Sequence, residues 1–247
     1  MINNFSLINI YEKPKLNSKI SSQMLYGEKF KILIKKKNWI KIKTNYDKYT
    51  GYIKKNKFLL DFKPTHKISV LKSIIYKKIK SKFLPTDQFL YFSSTIKNLE
   101  KSKKFIRFEK NKWINKMDLK NINHFETNYL KTIKMFLNIK YLWGGKSAAG
   151  IDCSALIQII FKYNQKYFPR DTKDQIKFCK KINFKKFKSG DILFWKGHVG
   201  LCLNNQKFIH AYGPRKKVLI MPIKRTIDLI EKTAKLELKK ISNIRSN

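Results

Sequence analysis

The chain is 247 residues long, enough for one large domain or two to three small ones with a sizeable core. Lys and Arg number 56 against 16 Asp and Glu, a net charge of +40, which taken alone points to a nucleic-acid or anionic-polymer partner. The lysines, however, are scattered in short groups such as Lys35 to Lys37, Lys77–Lys78 and Lys185–Lys186, without a basic tail or stripe. Diffuse drift toward Lys, Asn and Ile is the preferred reading of the charge, and nucleic acid is not the expected partner.

Cys153, Cys179 and Cys202 are odd in number and contain no CxxC pair. This argues against a disulfide framework or a zinc knuckle and toward a reducing compartment. Neither a metal nor a cofactor is expected. The opening MINNFSLINIYEKP lacks the basic and apolar regions of a secretory leader, and no apolar run approaches the roughly 20 residues that span a bilayer. A cytoplasmic location is the expectation, with a periplasmic or secreted one as the alternative.

Residues 5 to 62 alternate short apolar stretches with turn formers. Phe30, Ile32 and Ile34, then Ile40 and Ile42, follow the period of two of half-buried strands, with a turn at Gly27–Glu28. Such spacing describes a small β-barrel, in which Trp39 is either core or a ligand platform. After a linker at Asp61 to Pro64, with His66 at the junction, the order repeats. Ser73 to Tyr76, Phe89 to Phe92 and KFIRFEKNKWINKMDL restate strand, strand, strand and W-I-x-K, a divergent second copy of the first unit. Phe125, Tyr129, Ile133, Phe136 and Leu137 then predict an amphipathic helix over 123–138 with most of its aromatics in the core, and His124 near its start has no assigned role.

The stretch 141–163, YLWGGKSAAGIDCSALIQIIFKY, carries the chemistry. Leu156, Ile159, Ile160 and Tyr163 form one helix face, which puts Cys153 in the first helical turn. There the unpaired N–H groups and the helix dipole favour thiolate, so a lowered thiol pKa is expected. On these residues alone Cys153 is either a nucleophile or a buried structural thiol. A short helix over 172–179, capped by Asp171 or Thr172, leads to strands at 191–195, 197–203 and 207–212, with a hairpin turn at Asn204–Asn205. That hairpin can bring His198 and His210 side by side on one face. A lysine-rich helix over 227–238 and a fraying polar tail complete the chain.

Five segments, in order, resemble the NlpC/P60 family of cysteine peptidases: YLWGGKSAAGIDCS at 141–154, PRDT at 169–172, SGDILFW at 189–195, GHVG at 197–200 and FIHA at 208–211. The first unit, with its Gly-containing turn, NWIKI and closing GYI, resembles bacterial SH3 domains, which precede the peptidase in that family. The resemblance implies an α+β fold, a papain-like NlpC/P60 catalytic domain over 121–247 preceded by small all-β SH3-like barrels over 1–62 and 66–120. It implies hydrolysis of γ-D-glutamyl bonds to a diamino acid in peptidoglycan stem peptides, with Cys153 as nucleophile, His198 as base, and His210 as the group that orients it. Tyr141 would help hold the oxyanion, and Asp152, Ser154 and Trp143 would meet the substrate. One departure is Ala155, where many relatives have Gly, a change that suits a helix. A papain-like amidase or acyltransferase, or a non-catalytic basic protein that binds nucleic acid or wall polymer, are the competing functions. Without a leader, recycling of free muropeptides is the preferred setting.

Overall fold

The computed structural model describes residues 1–246, which divide into two compact units, Met1–Glu126 and a second from Thr127 onward. In the first, β1 (Leu7–Tyr11), β2 (Ile20–Leu25), β3 (Phe30–Lys35), β4 (Trp39–Thr44) and β5 (Thr50–Lys54) form an antiparallel sheet in the order β2-β1-β5-β4-β3. The period-two pattern is realised in β4, where Ile40 and Ile42 join Ile53, Ile10, Met24 and Phe30 in one apolar cluster, whereas in β3 a register shift between Ile32 and Ile34 breaks it and leaves Ile34 exposed. Trp39 is half-buried and meets Tyr11 edge-on at 5.3 Å. Gly27 has φ +82 and lies against the backbone of Thr95, a place no side chain could share.

The second half of this unit holds β6 (His66–Ile68), β7 (Lys72–Ile79), β8 (Lys82–Tyr91), β9 (Thr95–Ile96), β10 (Glu100–Lys101), β11 (Phe105–Glu109), β12 (Lys112–Asn115) and β13 (Leu119–Asn121). They make a sheet in the order β10-β11-β12-β7-β8 and a smaller one in the order β13-β6-β9. Ile75, Leu90, Ile106, Phe108 and Ile114 form its core. His66, expected in a linker, is instead a strand residue, pairing with Asn121 and Ile96.

In the second unit the helix expected over 123–138 shortens to α1 (Tyr129–Lys134), because Asn128 stops it by accepting from Lys131 N at 2.9 Å. Phe125, expected in the core, lies before that cap and is half exposed, while Ile133 and Phe136 are buried. A two-residue-strand hairpin, β14 (Lys146–Ser147) and β15 (Gly150–Ile151), leads into α2 (Cys153–Tyr163) and then α3 (Thr172–Phe178). The sequence shows one apolar face on α2, yet every residue except Lys162 is buried, so this is a central helix. Truncating one of its fully buried side chains, such as Leu156→Ala, is expected to cost about 2–5 kcal/mol.

The remaining strands are β16 (Asp191–Trp195), β17 (His198–Cys202), β18 (Lys207–Tyr212), β19 (Lys217–Pro222) and β20 (Lys240–Asn243), with α4 (Ile223–Ala234) between the last two. They form one antiparallel sheet in the order β19-β18-β17-β16-β20. The β17–β18 turn is fixed by Asn204, whose side-chain oxygen accepts from Gln206 N and Lys207 N. Ile223 and Ile230 of α4 pack with Leu193, Trp195, Phe208 and Tyr212. The alternate residues Ile192, Phe194, Val199, Leu201, Ile209 and Ala211 are buried as well, so the sheet is covered on both faces. The helix therefore starts four residues before the expected 227, and the tail expected to fray returns as β20, paired with β16 from Asp191↔Asn243 to Phe194↔Lys240.

Candidate active site

Cys153 opens α2, as the apolar face from Leu156 to Tyr163 predicts. Asp152 is the N-cap: its Oδ1 accepts from Ala155 N at 2.8 Å, and its Oδ2 from Gly144 N at 3.0 Å. The same carboxylate is gripped by Arg170, with Nη1 to Oδ1 at 3.0 Å and Nη2 to Oδ2 at 2.6 Å. Arg170 Nη1 also donates to Ser154 Oγ at 2.9 Å, and Ser154 donates to Asp152 Oδ1 at 3.1 Å. All three residues are buried. Gln175 of α3 extends this mesh, its Nε2 donating to Ser154 O and Pro169 O, both at 2.9 Å. A planar guanidinium facing a carboxylate through two bonds fixes both position and angle, and here it anchors the loop before α3 to the start of α2.

The histidines come from the sheet. His198 begins β17 and His210 lies in β18, with Leu201 opposite Ile209 and Cys202 opposite Phe208. That register puts both histidines on one face. His198 Nε2 lies 2.9 Å from His210 Nδ1. Extended by one pair, the register sets Gly200 across from His210, and a Cβ on Gly200 would collide with the Phe208 ring that packs there. His210 is fully buried, stacked on Tyr212 at 4.8 Å, and its Nε2 has no hydrogen-bond partner among the described residues.

A cleft of about 530 Å³ is lined by Cys153, His198, Tyr141, Gly197 and Tyr212, with the turn after Tyr212 and one face of α4 forming its far wall. Three of the residues singled out from the sequence, Cys153, His198 and Tyr141, thus meet in one cavity. His210 stands behind His198, Asp152 and Ser154 belong to the buried Arg170 mesh, and Trp143 is 63% exposed and outside the cleft wall. Among the described residues no group of three or more His, Cys, Asp or Glu is placed to hold a metal ion.

The electrostatics differ from the sequence expectation at one point. Burial pushes the Cys153 thiol up to about 12, and the Asp152 carboxylate adds to this. Contacts with the Val199 backbone, the Thr172 side chain and the Arg170 charge pull the other way without prevailing. The lowered pKa expected at a helix start is therefore not found. The cap carboxylate accepts from the N–H groups of Ala155 and Gly144 and adds a negative charge to the effect of burial. Accordingly the thiol keeps its proton, directed at Gly197 O 3.9 Å away. Burial pushes His198 down to about 4, and burial together with the neighbouring His198 pushes His210 down to about 2. Tyr141 is raised well above an ordinary phenol, by burial first and then by Cys153. Near neutral pH the cleft holds a thiol, a phenol and one uncharged imidazole, with a second uncharged imidazole behind it.

Sequence reasoning missed Arg170 and Gln175 as site-building residues. The signal was present in the segment PRDTKDQ, which places an arginine and a glutamine around the start of α3. What it lacked was any hint that their partners lie across the chain in the turn of α2.

The pattern of the NlpC/P60 family matches residues 138–229, and that of the bacterial dipeptidyl-peptidase SH3 domain matches residues 10–58. Dipeptidyl-peptidase 6 of Lysinibacillus sphaericus is 28% identical over 230 residues, covering 83% of this chain and 84% of that protein. The γ-D-glutamyl-L-lysine dipeptidyl-peptidase of Bacillus subtilis is 27% identical over 234 residues, covering 84% of this chain and 77% of that protein. The crystal structure of an NlpC/P60 family protein from Bacillus cereus superposes with a TM-score of 0.82 at 20% identity, covering 98% of both chains. That likeness establishes the shared fold.

Proposed function

Given that the C-terminal unit belongs to the NlpC/P60 family and is preceded by an SH3 domain of the bacterial dipeptidyl-peptidase type, we propose that the protein is a cysteine peptidase that cleaves peptidoglycan stem peptides between γ-D-glutamate and a diamino acid. The observation that carries this reading is the array of Cys153, His198 and His210, a thiol and an imidazole in one cleft with a second imidazole bonded behind. Relatives named for γ-D-glutamyl-L-lysine dipeptidyl-peptidase activity support the bond class.

The roles follow from the chemistry of each atom. If His198 Nε2 carries a hydrogen and donates it to His210 Nδ1, Nδ1 of His198 keeps its lone pair for the proton of Cys153. Substrate attack and proton transfer are then concerted in effect: sulfur bonds to the γ-carbonyl carbon as His198 takes the proton. The oxyanion is met by the Tyr141 hydroxyl and the backbone N–H of Cys153. His198 returns its proton to the departing amine, leaving a thioester, and the same nitrogen then activates the water that releases the acyl product. His210, held uncharged by burial, orients the imidazole rather than compensating its charge. Asp152 and Ser154 act on the acyl side, where the free amine of the dipeptide would lie.

Within this reading residues 1–62 and 66–120 are two SH3-like barrels ahead of a catalytic domain at 121–247. The setting is cytoplasmic recycling of free stem peptides, in keeping with three cysteines that all remain thiols. No helix among the described residues is long and apolar enough to cross a membrane.

Mass spectrometry of L-Ala-γ-D-Glu-diaminopimelate incubated with the pure protein tests the assignment. The wild type is expected to release L-Ala-D-Glu, and Cys153→Ala to release none while keeping its circular dichroism spectrum. Turnover by the pure mutant removes Cys153 as the nucleophile. Intact sacculi cleaved as readily as the free peptide would remove the recycling setting.

A further inference from the structure

The far wall of the cleft carries chemistry that hydrolysis itself does not use. Beyond Tyr212 the chain makes a short turn, Gly213–Arg215, before β19. The turn is fixed in place: Lys216 N donates to Gly213 O at 2.9 Å, and Tyr141 N donates to Lys216 O at 2.8 Å. Gly213 lies against the Tyr141 ring, where an added Cβ would rest 3.5 Å from its nearest ring carbon. Opposite this turn stand Leu229, Thr233 and Leu236, from α4 and the residues after it, on the same cavity as Cys153 and His198.

The proton path says which half of the substrate meets this wall. The acyl half becomes bonded to sulfur, whereas the amine half must receive its proton from His198. The amine half therefore lies on the His198 side of Cys153, away from the Asp152–Arg170 mesh and toward Tyr212, Arg215 and α4. Among the described residues, Arg215 is the one fixed charge on that wall. The nearby acids Asp228, Glu231 and Glu237 do not line the cleft, and Glu237 is paired with Lys239 at 3.4 Å. A departing diamino acid thus meets aliphatic side chains for its methylenes, one guanidinium, and no carboxylate.

We infer that Arg215 selects the departing diamino acid by the carboxylate at the end of its side chain, so that diaminopimelate is preferred over lysine; this rests on the function proposed above. The guanidinium pairs with the distal carboxylate of diaminopimelate. The bare side-chain ammonium of lysine finds no acid on the wall and is repelled by the arginine, so discrimination comes from both attraction and repulsion.

The test compares kcat/KM on L-Ala-γ-D-Glu-meso-diaminopimelate and L-Ala-γ-D-Glu-L-Lys for the wild type, Arg215→Ala, Arg215→Lys and Arg215→Glu, at low and high salt. Because Arg215 is exposed, a wild-type preference of about threefold to fivefold for diaminopimelate is expected at low salt, shrinking as salt rises. Arg215→Ala should erase the preference by slowing the diaminopimelate peptide and quickening the lysine one, Arg215→Lys should keep most of it, and Arg215→Glu should favour lysine. If both peptides are cleaved and their ratio does not move with residue 215, or if Arg215→Ala slows both equally, the inference is overturned while the peptidase reading stands. If the wild type cleaves neither peptide, the peptidase reading fails and takes the inference with it.

Discussion

Toward Arg170 the surroundings of Cys153 are charged, buried and densely hydrogen-bonded, whereas toward His210 they are uncharged and leave a buried ring nitrogen without a partner among the described residues. On the first side a full ion pair, desolvated and bonded through both oxygens, holds the turn before α2 against the start of α3. On the second, two imidazoles are kept neutral by burial and joined by one 2.9 Å contact. The contrast separates two tasks. Fixed charge resists movement, so it suits the side that sets geometry; neutral imidazole can take and return a proton, so it suits the side that does chemistry.

Breaking the charged side should have the largest effect. Arg170→Met leaves the Asp152 carboxylate buried without its cation, and an uncompensated buried charge costs about 3–5 kcal/mol, read as a lower urea midpoint. Asp152→Asn combined with Arg170→Met should recover part of that loss. A double mutant as unstable as the sum of the two single ones would show that the pair does not act as a unit.

The next effect sharpens the view of the uncharged side. With the thiol held near 12, alkylation of Cys153 by iodoacetamide in the free enzyme should be slow at neutral pH and climb about tenfold per pH unit above it. A rate that levels off between pH 5 and 9 would mean that Cys153 and His198 rest as thiolate and imidazolium. The smallest effect concerns His210. Asn keeps a polar group for His198, so His210→Asn should lower kcat by about tenfold or less, the worth of one hydrogen bond. It should also alter acid stability, and the sign is determined by direction. His210 is held at about 2, below the usual 6.5, so its contribution to stability is full above pH 6.5 and is lost as pH falls toward 2. The mutant should therefore lose less stability than the wild type as pH drops through that window in a urea titration.

Much of the site is legible in the sequence because its parts are local. The apolar face from Leu156 to Tyr163 announces the helix and puts Cys153 in its first turn, though Asp152 as its cap is not foreseen from the sequence. GHVG and FIHA are strands joined by a turn that Asn204 declares, so the two histidines share a face by register alone. What escapes is what depends on folding at a distance. The Arg170–Asp152 pair spans 18 residues of chain, and the thiol pKa escapes as well, because the helix-end argument knows nothing of the burial of the sulfur or of the carboxylate that adds to it. The same holds for the tail. Lys240–Asn243 reads as polar and unremarkable in sequence, yet it is a strand because β16 offers an unpaired edge, which no local propensity reveals. Helix α1 fails in the opposite way: its apolar period continues back to Phe125, but Asn128 claims the N–H of Lys131 and ends it there.

The proton on Cys153 has one more consequence. Peroxide and other oxidants attack thiolate far faster than thiol, and once past sulfenic acid the damage to a nucleophilic cysteine is permanent. A site that keeps its sulfur protonated, enclosed and pointed at a carbonyl is chemically quiet between turnovers. It becomes reactive only for as long as a bound peptide presents a carbonyl carbon and His198 can take the proton. Such an enzyme would be expected to survive oxidative exposure that inactivates a cysteine peptidase resting as an ion pair.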